Sequence, residues 1–240
     1  MKRLHVPLIG RFGNLLFIYA HARAWCEQNG YELCVYPWVG EKVFTIPGAR
    51  RPDASCEVWP ERMYQDQPSL IYTRRQVREW FTFKPEILAR LRVLDATEPE
   101  IILNVRQGHD YREAGLVTMS KESYVLACIK HGFDVAKARF ETDLNPTLLP
   151  DFQGNMDASG LGVTWVGMPS FYRLMTAPVL FRANSSFSWW AATLGHGRVF
   201  SPIIRGLHGG VPDVRCDNFV EGNWPISADC GANTDLHLTP

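Results

Sequence analysis

The sequence predicts an α/β fold arranged as two Rossmann-like lobes facing a cleft. Strand and helix patterns alternate near the N-terminus and again from Glu98 onward, with an irregular stretch between the two runs. A chain of 240 residues with 46% hydrophobic content can also bury a sizeable core, as one domain or as two small lobes.

The elements follow in order. Leu4 to Ile9 is a short apolar run, like a buried strand. Gly10-Arg11-Phe12-Gly13-Asn14 is a turn. Leu15, Ile18, Tyr19, Ala22 and Cys26 then recur at helical spacing, and Asn29-Gly30 is a helix stop. Tyr31 to Tyr36 is a second strand, and a strand–helix–strand unit implies a parallel pair with a right-handed crossover. Residues 37 to 70 are rich in Pro, Arg and acidic side chains and are expected to be loops. Val77, Trp80, Phe81 and Leu88 suggest a helical stretch that Pro85 interrupts. The second run places strands at Ile101 to Val105, Gly162 to Val166, Val179 to Arg182 and, last, Arg198 to Ser201. Helices are expected around Lys121 to His131, at Phe171 to Thr176, and from Ser185 to Leu194, ended by Gly195. The lobes should span 1–97 and 98–225, with a polar tail at 226–240 and no internal repeat.

Lys, Arg, Asp and Glu balance to a net charge of zero, so no global field draws nucleic acid or an anionic membrane. The six cysteines include no C-x-x-C pair, and Cys26, Cys34 and Cys128 lie in apolar stretches. A reducing, cytoplasmic compartment fits this usage, with room for peripheral contact at the inner face of a membrane. The basic start and Ala20-His21-Ala22 imitate a signal peptide, but Gly10, Arg11, Gly13 and Asn14 break the apolar run. No stretch reaches the ~18 apolar residues of a membrane span.

Three motifs could carry chemistry. Gly10-Arg11-Phe12-Gly13-Asn14 sits where ligands bind in open α/β sheets, at the carboxyl end of a strand, and its glycines allow close backbone approach. It is neither a dinucleotide nor a P-loop fingerprint, and a tight structural turn reads equally well. In Asn104-Val105-Arg106-Gln107-Gly108-His109-Asp110-Tyr111 a strand ends in a polar turn. The planar fork of Arg106 matches phosphate bidentately, and His109 or Asp110 could orient it or act as a base. A surface Arg–Asp pair of little energetic weight is the bland alternative. In Asn184-Ser185-Ser186-Phe187-Ser188-Trp189-Trp190 a strand feeds hydroxyls into a helix start. Asn184 or Ser185 can cap that helix, whose N-terminus suits an anion. Phe187, Trp190, Ala191 and Leu194 share one face as core anchors, and Trp189 lies off the stripe, free to reach the cleft. The sequence has no D-x-D pair and no histidine pair at metal spacing, so arginine and helix N-termini would have to neutralise a diphosphate.

Together these motifs resemble the α-1,2-fucosyltransferases. That family carries an N-terminal G-G-L-G-N-Q-x-F-Q-Y-A, a central H-x-R-R-G-D-Y and a late N-S-T/S-F-S-W-W. Here they stand as Gly10 to Ala20, Asn104 to Tyr111 and Asn184 to Trp190, in order and across nearly the whole chain. The first motif and the Arg-x-Gly-x-Asp spacing also look like the related protein O-fucosyltransferases. The resemblance implies a GT-B-like fold, GDP-fucose as donor, a glycan hydroxyl as acceptor, inversion, and neither cofactor nor metal. It implies a catalytic Arg106 on the donor diphosphate, and Asp110 and His109, close to it in the sequence, are the local base candidates. It places Arg11, Gly13, Asn14, Asn104, Asn184, Ser185, Ser186 and Phe187 at the donor, the 98–225 lobe on the donor side and the 1–97 lobe on the acceptor side. Residues 37 to 75 would shape the acceptor pocket, and Arg74, Arg75 and Arg78 could meet an acidic glycan or form a solvated helix face.

The chain departs from the family pattern. Asn104 replaces the family His, Gln107 the second Arg, and Leu15 the Gln after Gly-Asn. His109 displaces the family Asp or is inserted before it, and Glu141-Thr142-Asp143 stands roughly where the family has S-D-D. Two other readings therefore stand beside the first: a transferase with another nucleotide-sugar donor, and an inactive module that binds nucleotide-sugar or glycan.

Overall fold

In a computed structural model of the chain, residues 1–47, 50–62, 64–65, 69–94, 100–106, 119–142, 167–203 and 218–224 are described. The expected strand at 162–166, the tail at 226–240, and Gln107, Gly108, His109, Asp110, Tyr111 and Asp143 lie outside the described residues.

The first half builds one sheet. Strand β1 is Lys2–His5, shorter than the apolar run suggests, and helix α1 follows at Phe12–Asn29. Gly30 ends α1 in the left-handed region, φ 71°, and returns its N–H to the Cys26 carbonyl. Strand β2 is Tyr31–Cys34. The stretch expected to be loop holds a short helix, α2 at Val39–Val43, and a two-residue strand, β3 at Glu57–Val58. The sheet order is β2-β1-β3, all parallel. Helix α3, Arg74–Trp80, opens on a capping box: Gln76 N–H donates to the Thr73 hydroxyl and Thr73 N–H to the Gln76 side chain. Pro85 does not merely interrupt a helix; it begins α4, Pro85–Leu94, where a missing N–H costs nothing.

The second half builds the larger sheet. Strand β4 is Ile101–Val105, helix α5 Lys121–Lys130 and strand β5 Ala138–Thr142. Helix α6, Gly167–Thr176, leads to β6, Val179–Phe181, and α7, Ser186–Leu194, leads to β7, Arg198–Pro202. Strand β8, Phe219–Glu221, runs antiparallel to β7 and follows the strand expected to be last. The order is β5-β4-β6-β7-β8. Helix α5 carries the chain from β4 to one side and α7 carries it from β6 to the other. The carboxyl ends of β4 and β6 therefore flank a topological switch point, the place where open α/β sheets bind ligands.

Helices α1 and α7 join the two sheets through one apolar core. Phe17 meets Trp189 at 4.7 Å and Trp190 at 5.1 Å, and Phe12 meets Phe171 at 5.2 Å. Trp189 is thus a core residue, 2% exposed, and is not free to reach a cleft as its place off the stripe suggests. The reason is that α7 is enclosed by α1, α3 and α6, so it buries its whole circumference and stripe logic fails. Burying each such ring contributes about 1.5–3 kcal/mol. Among the described residues no helix is long and apolar enough to cross a membrane.

Candidate functional site

The turn after β1 delivers α1 to α7. Gly10 holds φ 83°, a left-handed backbone that suits glycine. Arg11 is the exposed N-cap residue of α1, and its carbonyl accepts from Asn14 N–H at 2.8 Å and Leu15 N–H at 3.0 Å. No side chain caps this helix and no acidic residue stands in its first turn. Gly13 lies against the start of α7 so closely that a Cβ there would sit 2.6 Å from Phe187 N and 2.7 Å from Ser186 Oγ. Asn14 fastens the contact: its Oδ1 accepts from Ser186 Oγ at 2.9 Å and from Gln65 Nε2 at 2.8 Å.

The N-terminus of α7 is built by its serines. Ser185 is buried, and its Oγ accepts from Ser188 N–H at 3.2 Å, so it is Ser185 rather than Asn184 that caps the helix. Ser188 Oγ donates to the Ala183 carbonyl at 2.8 Å and stiffens the approach. Asn184, Ser186 and Phe187 are half-buried, and Phe187 rests on Phe171 at 5.1 Å. The first turn of α7 also lacks an acidic residue. Each helix start carries roughly +0.5 of an elementary charge. Two such starts in contact repel each other, and an anion bound against both relieves the repulsion.

Arg106 directly follows β4, half-buried and with its Nε shielded from solvent. Asn104, two residues earlier, donates from Nδ2 to the Glu141 carbonyl at 3.2 Å and accepts at Oδ1 from Ala183 N–H at 3.3 Å, on the approach to α7. It ties the ends of β4, β5 and β6 at the switch point, so its amide serves the framework. The structure thus brings Arg11, Gly13, Asn14, Ser185, Ser186 and Phe187 to one junction, with Asn104 and Arg106 at the neighbouring strand ends. His109 and Asp110 fall outside the described residues.

The sequence assigns no role to three further groups that hold the structure together. Gln65 comes from the segment read as loop and carries no motif. Arg182 is fully buried; its guanidinium donates to Ser201 Oγ at 2.8 Å, to the Ala183 carbonyl at 2.9 Å and to the Trp224 carbonyl. Glu141, on β5, receives Arg173 Nη1 at 3.0 Å and Ser170 Oγ at 2.5 Å, locking α6 to the sheet. Arg74, Arg75 and Arg78 do not form one solvated row: Arg75 pairs with Glu79 at 3.1 Å, Arg74 is half-buried, and Arg78 donates to the Thr193 and Gly195 carbonyls at the C-terminus of α7. A groove between Met175–Pro178 and Leu194–Arg198 opens at the amino ends of β6 and β7, the edge opposite the polar junction. Among the described residues no group of three or more His, Cys, Asp or Glu could hold a metal ion.

Comparison with protein-family models and with curated protein sequences finds no match. Solved structures do match. The selenomethionine form of the fucosyltransferase NodZ from Bradyrhizobium aligns at TM-score 0.53 and 14% identity, over 92% of this chain and 98% of that one. The NodZ α-1,6-fucosyltransferase soaked with GDP-fucose aligns at TM-score 0.54 and 13% identity, over 92% of this chain and 99% of that one. The chain therefore has the α/β, GT-B-like fold of these fucosyltransferases.

Proposed function

We propose that this protein is an inverting, metal-independent glycosyltransferase that moves fucose from GDP-fucose to a glycan hydroxyl in an α-1,2 linkage. The observation that carries the reading is the contact of two helix N-termini, Gly13 of α1 on Ser186 and Phe187 of α7, with Arg106 following the end of β4, which Asn104 ties to Ala183 on the approach to α7. This is a place for a diphosphate. The solved structure soaked with GDP-fucose, which shares the fold, supports that choice of donor.

Breaking the sugar–phosphate bond builds positive charge on the sugar ring and negative charge on the leaving diphosphate. Backbone N–H groups of the two helix starts and the guanidinium of Arg106 are fixed charges of the required sign, and they lower the barrier by stabilising that leaving group. A hydrogen bond to a charged group is worth ~1.5–3 kcal/mol. The acceptor hydroxyl attacks the opposite face of the anomeric carbon, and its proton passes to Asp110 or His109. With the charge supplied by Arg106 and the helix starts, the reaction needs no metal. On this reading residues 98–225 serve the donor, joined there by the start of α1, and the rest of 1–97 serves the acceptor, in the cytoplasm.

The linkage has a second reading. The motifs favour α-1,2, whereas one matched structure is an α-1,6 enzyme. The test is transfer from labelled GDP-fucose to galactose-ended and N-acetylglucosamine-ended acceptors in EDTA, with the product cut by linkage-specific fucosidases. Release by an α-1,2-fucosidase supports the proposal. Release only by an α-1,6-fucosidase favours the second linkage, and preference for a UDP- or dTDP-sugar sinks the fucose assignment.

A further inference from the structure

We infer that Gln65 is a positioning residue of the donor site, setting the Asn14 carboxamide so that its NH2 group, and not its oxygen, is offered to the ligand. The inference rests on the donor-site reading above.

Asn14 Oδ1 accepts from Gln65 Nε2 at 2.8 Å and from Ser186 Oγ at 2.9 Å. A carboxamide oxygen has two lone pairs, so the protein saturates it. Nδ2 is the half left over, with no protein acceptor among the described residues. It lies on the side of the Gly10 turn, where a Cβ on Gly10 would come within 2.6 Å of it. The two donors come from opposite halves of the chain, Ser186 from α7 and Gln65 from the segment between β3 and α3.

The backbone that presents Gln65 is strained. Tyr64 has φ 52°, a left-handed conformation that bulky residues rarely adopt, and no other non-glycine among the described residues has a positive φ. Such strain persists only where the surroundings over-determine it. The buried Tyr64 ring stacks on His21 at 4.3 Å and 14° and lies 5.8 Å from Trp59. His21 is itself fixed, with Nδ1 donating to the Ser69 carbonyl at 2.7 Å. A braced, strained residue thus aims the next side chain at Asn14.

Asn14 stands in the first turn of α1, where the helix start already favours negative charge. An amide N–H there suits an anionic oxygen, a diphosphate oxygen on this reading. The flipped amide would point lone pairs at the same oxygen and weaken its binding.

The test is calorimetric titration of GDP into the wild type, Gln65→Met, Asn14→Ala and the double variant, with melting curves for each. Methionine keeps the shape of Gln65 and removes its donor. The expected result is GDP affinity about three- to tenfold weaker in Gln65→Met, the scale of one hydrogen bond, and no further loss when it is added to Asn14→Ala. A residue that only bolts the two halves together would lower the melting temperature and leave GDP affinity unchanged. Unchanged affinity in Gln65→Met, or an undiminished loss in the Asn14→Ala background, overturns the inference alone. A wild type that does not bind GDP overturns the donor-site reading together with it.

Discussion

Replacing Gly13 with alanine should destabilise the protein although alanine is the better helix former. The missing Cβ would lie 2.6 Å from Phe187 N and from Ser186 C, and 2.7 Å from Ser186 Oγ. Two of these atoms are backbone, which cannot rotate away. Carbon contacts relax only near 3.5–4.0 Å, so α1 and α7 must part by roughly 1 Å. Overpacking of this kind costs ~1–3 kcal/mol. The shift also strains the two hydrogen bonds on Asn14 Oδ1, of 2.8 and 2.9 Å, worth about 1 kcal/mol each. Against this stands a helix-propensity gain of at most about 1 kcal/mol. The net loss is about 2–4 kcal/mol, which for a chain of this size lowers the melting temperature by about 5–15 °C. Scanning fluorimetry without nucleotide measures it, and GDP titration should show a parallel loss of affinity. The control is Gly30→Ala, where φ is 71° and a Cβ meets nothing within 4 Å; it should cost about 1 kcal/mol of backbone strain and leave GDP affinity alone. A melting temperature unchanged or raised in Gly13→Ala refutes the helix-to-helix contact.

Other perturbations test the frame around the junction. Arg78→Met removes the cation from the Thr193 and Gly195 carbonyls and should cost ~1.5–3 kcal/mol in urea unfolding; no change would mean that water caps α7 equally well. Arg173→Met leaves the Glu141 carboxylate, 6% exposed, without its cation and should cost ~3–5 kcal/mol. Changing both residues to methionine should cost less than the two single changes combined, as expected for partners in contact, and strict additivity would contradict the pairing. Burial holds the His5 imidazole below its ordinary 6.5. The unfolded chain then binds the extra proton first, so stability present above about pH 6.5 declines as pH falls through that value and levels off below the folded one. Melting curves between about pH 8 and 5 should show this decline, and His5→Gln should flatten it; an unaltered decline assigns it to other groups.

The sequence made some of this legible for identifiable reasons. Helix α1 ends where Asn29-Gly30 predicts because a left-handed C-cap needs glycine. The strand Ile101–Val105 shows itself because both of its faces are covered. Strand β5 does not, since at the sheet edge only Glu141 of its five residues is buried and Phe140, its one large apolar residue, is exposed. Strand β3 is too short to carry a period. Trp189 was misplaced because a helix enclosed on all sides has no polar face to set the phase. The motifs located Asn14, Ser186 and Arg106 singly. The Asn14–Ser186 bond spans 172 positions, and no spacing rule reaches that far. Gln65 was invisible because its role comes from the backbone of Tyr64, whose φ of 52° is not the habit of a tyrosine.

A diphosphate site that includes Arg106 is central to the proposed activity. Calorimetric titration of GDP-fucose into the wild type and into Arg106→Ala, in EDTA, tests it most directly. Saturable binding to the wild type is expected without added metal, with a loss of ~1.5–3 kcal/mol in the variant, which is about ten- to a hundredfold in affinity. A wild type that ignores GDP-fucose, or an Arg106→Ala variant that binds it as tightly, would contradict the claim.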